Sequence, residues 1–175
     1  TLLAFARRLT RVFALALGME ENYFDPYTQR PEAGMRIIHY PEQDASASDQ
    51  NGIGAHTDFE CFTAVTQDST PSGLEVLSKS GYWVKAPPIQ GSLLINIADC
   101  FMRQTNDYFV STVHRVVNKS GRERYSLPFF FGFDRRRKLE PVPSCVSEER
   151  LAKYESMTGG EYYAYRVRTA KEKQR

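Results

Sequence analysis

Two histidines and an aspartate carry the metal-binding potential of this chain: His56 and Asp58, separated only by Thr57, and the distant His114. Successive side chains of an extended strand alternate faces, so His56 and Asp58 should project to one side with Thr57 turned away. A third ligand from a remote strand, His114, would complete two neutral imidazoles and one carboxylate on one face of a metal ion. The opposite face is then open to substrate and O2, the arrangement non-haem Fe(II) uses; by ligand type alone zinc or manganese would also suit. The same alternation puts Arg124 and Ser126 on one face with Tyr125 opposed. A planar guanidinium takes a carboxylate bidentately, and the serine hydroxyl can donate to the same group. A small dicarboxylate anchored there at one end could chelate iron at the other.

Strands must position these groups, and the chain supplies them after a helical start. Leu2, Phe5, Ala6, Leu9, Val12, Phe13, Ala16 and Leu17 recur at the i, i+3, i+4, i+7 spacing of an amphipathic helix. Gly18 follows where a helix ends most readily in positive φ. Glu20 to Phe24 reads as a second short helix closed by Pro26. From Met35 the pattern changes to short apolar or β-branched runs broken by Gly, Pro, Asn and Asp. The predicted strands are Met35 to Tyr40, Gly54 to Asp58, Phe62 to Gln67, Leu74 to Leu77, Trp83 to Ala86, Ser92 to Ile97, Thr112 to Val117 and Tyr125 to Phe133. About eight strands is the number in a double-sheet jelly roll of the cupin kind. Pro41 to Asn51 reads as an exposed loop and Ala98 to Asn106 as a place for one helical turn. Glu148 to Ser156 and Tyr162 to Lys171 are helix candidates near the C-terminus.

A length of 175 residues suits one domain with a real core. Hydrophobic residues at 41% and charged residues at 25% belong to an ordinary globular protein. No apolar run approaches the roughly 20 residues of a membrane span, so no membrane partner is expected. A net charge of +2 from near-equal opposing charges offers little attraction for nucleic acid. The Arg135-Arg136-Arg137-Lys138 run reads as a solvated strand end or turn. Cys61, Cys100 and Cys145 have no framework spacing and favour reduced thiols in the cytoplasm. The chain begins with Thr1 rather than Met, so its true start and any targeting signal there are expected upstream.

The segments "GIGAHTDFECFT" from Gly52 to Thr63, then "GLEVL", "GYWVKAPP", "GSLLINIAD", "TNDYFVSTVHRVVN" and "RYSLPFFF", occur in order and at characteristic spacing. Together they resemble the Fe(II)/2-oxoglutarate-dependent oxygenases of the isopenicillin N synthase-like family, over most of the chain and most strongly between Met35 and Phe133. The resemblance implies a mainly β fold, a double-stranded β-helix or distorted jelly roll, with flanking N- and C-terminal helices. It implies one catalytic domain over 1–175: a helical lead-in at 1–28, a jelly-roll core at 34–134 and a C-terminal extension at 135–175. The cofactors implied are Fe(II) held by His56, Asp58 and His114, with 2-oxoglutarate and O2 as co-substrates. Arg124 and Ser126 would hold the far carboxylate of 2-oxoglutarate, and Tyr40 matches a family tyrosine that also contacts it. Ile38 stands where relatives often carry an asparagine. Phe130, on the same strand parity as Arg124, matches a position that faces substrate in some relatives. Family members usually carry a substantial N-terminal region that shapes the substrate pocket, and these 175 residues depart from that pattern, with almost all of it absent.

The implied activity is oxidation of a small-molecule substrate, with hydroxylation as the default, coupled to release of succinate and CO2. Two other readings stay open: an Fe(II) oxidase of the isopenicillin N synthase or aminocyclopropane-carboxylate oxidase kind, which keeps the Arg-x-Ser motif without using 2-oxoglutarate, and a non-catalytic truncated remnant. His39 reads as a packed or supporting histidine, Phe59, Phe62 and Trp83 as core, and Cys61 as a small buried thiol.

Overall fold

The computed structural model describes residues 1–42, 52–69, 73–118 and 120–172, so most of the predicted loop from Pro41 to Asn51 lies outside the described residues. The amphipathic stripe forms α1 (Leu2–Ala16), which buries Ala6, Thr10 and Ala14. Gly18 takes φ +69°, its N–H bonds to Leu15 O at 2.9 Å, and Met19 N–H reaches back to Ala14 O at 2.9 Å. This is a Schellman closure, which needs the positive φ that glycine adopts without a Cβ penalty. The short helix expected over Glu20–Phe24 does not form. Turns lead instead into a single 3-10 turn, Asp25–Tyr27, with Pro26 inside it. Proline is at home there, because its fixed φ fits and its missing N–H is one that the first turn leaves free anyway.

The strands are β1 (Glu32–Met35), β2 (Ile38–Tyr40), β3 (Ile53–His56), β4 (Phe62–Gln67), β5 (Leu74–Leu77), β6 (Trp83–Lys85) and β7 (Leu94–Ile97). Helix α2 (Asp99–Gln104) follows, then β8 (His114–Val116), β9 (Arg124–Gly132) and β10 (Lys138–Leu139). The chain closes with β11 (Met157–Thr158) and α3 (Gly159–Glu172). The first sheet runs β1-β9-β4-β7 with β2 also on β9, and the second runs β3-β8-β5-β6. Their pairings are antiparallel, in the two-sheet arrangement of the double-stranded β-helix. The single strand expected from Met35 to Tyr40 is split into β1 and β2, although both keep one register on β9. Pro128 sits opposite the break. Arg36 N–H donates to Pro128 O at 3.1 Å, but proline has no N–H to return. The expected strand Gly54–Asp58 stops at His56.

The larger core lies outside the sandwich. Phe62 and Phe131 of the first sheet meet Phe24, Phe101 and Phe133, with Phe13 of α1 packed against them. A smaller cluster of Tyr40, Leu74 and Val116, flanked by Ile38, Ile53 and Leu94, is contributed by both sheets. Phe62 is core as expected, whereas Trp83 is partly exposed, with the Arg115 guanidinium 4.0 Å from its ring centre. An indole at the sheet edge keeps a cation over its face more readily than it finds burial there. The helix expected over Glu148–Ser156 is absent. The Arg135–Lys138 run is a turn entering β10, with Arg135 on Glu32 at 2.9 Å and Arg136 on Asp134. Among the described residues no helix is long and apolar enough to cross a membrane.

Candidate metal centre

Strands β3 and β8 place the two histidines side by side. Ile53 pairs with Val116, but the register shifts before His56, which then pairs with His114. Such an irregularity re-aims a side chain, and here it brings the rings to 4.2 Å between centres. Each Nδ1 lies against a main-chain carbonyl two residues earlier, His56 on Gly54 O at 2.7 Å and His114 on Thr112 O at 3.1 Å. A carbonyl only accepts, so Nδ1 carries the proton and the Nε2 lone pair is left to bind a metal.

Asp58 reaches the histidines by a route that strand parity did not foresee, because it lies beyond the end of β3. Its Oδ1 is 3.8 Å from both Nε2 atoms. Its Oδ2 accepts from Thr63 of β4 at 2.5 Å and from Asn96 of β7 at 2.9 Å. The first sheet thus holds the carboxylate and the second holds the imidazoles. The three ligand atoms lie within 4.8 Å of one another, close enough for one ion between them.

Arg124 and Ser126 of β9 share the cavity with this set, as do Tyr40 and Phe130. Arg124 is 1% exposed. Its Nη2 donates to Gln67 Oε1 at 2.7 Å, while Nε and Nη1 have no hydrogen-bond partner among the described residues. The Tyr40 ring lies 4.9 Å from the guanidinium carbon. Two glycines make room: a Cβ on Gly73 would come within 2.6 Å of Arg124 Nε, and one on Gly52 within 2.6 Å of Tyr40 Cδ1. A buried cation with two unused donors is costly unless an anion meets it. A carboxylate meeting the guanidinium end-on, at Nη1 and the second N–H of Nη2, would supply that anion, so the residues present fit a small dicarboxylate as they fit a metal.

Thr63, Gln67 and Asn96 escaped the sequence reading. For Asn96 the signal was a polar residue inside the aliphatic run of β7, which demands a buried partner, whereas Thr63 and Gln67 lie on a strand with several polar residues and carried no such mark. His39 is neither buried nor beside the candidate metal ligands. It is exposed, pairs with Glu123 at 3.0 Å and stacks on Tyr125, because its parity on β2 is opposite to that of Tyr40. Phe59 is only half-buried, under the Arg166 guanidinium. Cys61 is fully buried, and burial pushes its thiol well up, as an inert packing residue requires.

The family model described as the 2OG-Fe(II) oxygenase superfamily matches residues 31–133. The chain is 43% identical over 163 residues to a 2-oxoglutarate-Fe(II) type oxidoreductase, ppzC, of Metarhizium majus, covering 89% of this chain and 43% of that protein. It is 38% identical over 169 residues to a homoarginine-6-hydroxylase of Oryza sativa subsp. japonica, covering 94% of this chain and 52% of that one. The crystal structure of a full-length Neurospora crassa protein in complex with alpha-KG and thymine superposes with a TM-score of 0.90 at 30% identity, over 96% of this chain and 53% of that chain. The chain thus spans about half the length of the relatives it matches.

Proposed function

The chain belongs to the 2OG-Fe(II) oxygenase superfamily, and on that premise we propose that it is an Fe(II)- and 2-oxoglutarate-dependent oxygenase that hydroxylates or otherwise oxidises a small molecule, releasing succinate and CO2. The observation that carries this reading is the buried, underbonded Arg124 in the same cavity as His56, Asp58 and His114. A metal site alone would have no use for it.

In this reading His56 and His114 offer Nε2 and Asp58 offers Oδ1 to the iron, while Thr63 and Asn96 keep the second carboxylate oxygen occupied. Arg124 and Ser126 take the far carboxylate of 2-oxoglutarate, and Tyr40 holds the guanidinium plane. Iron, 2-oxoglutarate and O2 supply the oxidising chemistry when bound. Leu74, Leu94 and Val116 line the same cavity, and such apolar walls strengthen the polar contacts inside. Phe130, at the end of the row Arg124, Ser126, Pro128, Phe130, faces both this cavity and an open cleft beside the metal ligands, and we assign it to substrate contact. The relatives' names, with homoarginine and thymine among their ligands, support a small-molecule substrate. The free, buried Cys61, Cys100 and Cys145 support a cytoplasmic setting.

The test is conversion of 2-oxoglutarate to succinate by the iron-loaded protein without added substrate. Slow succinate formation is expected, and its loss in His114→Ala and Arg124→Met. An iron-loaded protein that forms no succinate would overturn the reading in favour of an oxidase that dispenses with 2-oxoglutarate.

A further inference from the structure

Asp58 lies past the last ladder bond of β3, so something other than the sheet must hold the peptide between the two ligands. From behind, Asp99 N–H of α2 donates to Asp58 O at 3.1 Å, and Cys100 N–H to Phe59 O and Glu60 O at 3.2 and 3.1 Å. The side chain between the ligands is tied down as well. Thr57 Oγ1 donates to Asp99 Oδ2 at 2.9 Å. The same carboxylate oxygen is paired with Arg166 of α3, whose Nη2 also donates to Thr57 Oγ1 at 3.3 Å. The guanidinium carbon lies 4.4 Å from the centre of the Phe59 ring, covering the residue that follows Asp58. Asp99 is buried, its side chain 8% exposed, and that of Arg166 is 20% exposed, so solvent screens this cluster little.

We infer that Thr57, Asp99 and Arg166 are positioning residues for the metal ligands, and that α3 is thereby a working part of the metal centre. This rests on the reading of His56, Asp58 and His114 as metal ligands. The cluster grips the middle residue of a three-residue segment whose outer two bind the metal. Releasing Thr57 lets the peptide turn and disturbs both ligands at once. An arginine that merely docked α3 on the sandwich would need only one acidic partner. Arg166 instead completes a closed set of three contacts with the hydroxyl and the carboxylate.

Partners that orient metal ligands typically change metal affinity 10–100-fold when removed. Co(II) is a suitable probe, because its visible absorption reports coordination geometry without turnover. In the full chain, Arg166→Met and Thr57→Val should each weaken Co(II) binding about tenfold or more and alter its visible spectrum. Thr57→Ser, which keeps the hydroxyl, should restore both. The double variant should bind no more weakly than the worse single one, because the residues act as one unit. Wild-type affinity and spectrum in Thr57→Val and Arg166→Met would overturn the inference, even if the melting temperature fell. If Arg166→Met does not fold, Thr57→Val, which removes one half-buried hydroxyl, decides alone. His114→Ala is the control for the underlying reading: Co(II) binding that survives it, or no binding by the wild type, removes the metal site itself and this inference with it.

Discussion

Among the described residues Arg124 is the largest fully buried side chain, and it is a cation with one hydrogen bond there. That is an expensive arrangement for folding alone, since an incompletely bonded buried charge costs more than an apolar side chain of the same size. Arg124→Met should therefore leave the stability of the ligand-free protein within about 1 kcal/mol of wild type in denaturant unfolding, because the lost Gln67 bond is offset by removal of the buried charge. The same change should weaken 2-oxoglutarate binding about 100-fold or more by calorimetric titration with an inert divalent metal, since two charge-assisted bonds are each worth roughly 1.5–3 kcal/mol. Arg124→Lys should recover only part of that affinity, because an ammonium is a point charge without the planar fork. Equal 2-oxoglutarate affinity in all three proteins would remove Arg124 from the site.

At the level of elements, the irregular segment that replaces the expected helix over Glu148–Ser156 has an identifiable organiser. Asn106, fully buried at the end of α2 with φ +50°, donates from Nδ2 to Cys145 O and Leu151 O, each at 3.1 Å, and accepts from Lys153 N–H at 3.0 Å. Arg150 adds a bond to Asn106 O at 2.6 Å. Backbone groups that would have closed helical turns bond to one distant side chain instead. Local propensity could not show this, because a competing polar partner 39 to 47 residues away is invisible to a short window. Asn106→Ala should lower unfolding stability by about 3 kcal/mol, through stranded backbone groups and the cost of positive φ for alanine. A loss under about 1 kcal/mol would show that the segment is held by other contacts.

For the whole molecule, the site joins the two sheets. His56 and His114 come from the second sheet, while the first supplies Arg124, Ser126 and the partners of Asp58. Only the closed sandwich assembles them, so metal and co-substrate should stabilise the fold as a unit. At about 100 times its Kd a ligand adds roughly 2.7 kcal/mol, which for this size of chain raises Tm by roughly 5–10 °C. That shift should appear with Co(II) and 2-oxoglutarate and vanish in His56→Ala. Much of this was legible in the chain itself. The helical stripe of α1, the strands β4 and β5 and the inward parity of Arg124, Ser126 and Phe130 follow from spacing, and the candidate ligand set of His56, Asp58 and His114 from residue type. Periodicity is a local property, and the sequence determines it directly. Tertiary structure decided the rest: the register shift that sets His56 against His114, the grip of Thr63 and Asn96 on Asp58, the bond from Arg124 to Gln67, and the reach of Arg166 back to Thr57. Each of these is a choice of long-range partner. Such a choice depends on which remote strands and helices come to lie together, and no spacing along one segment records it.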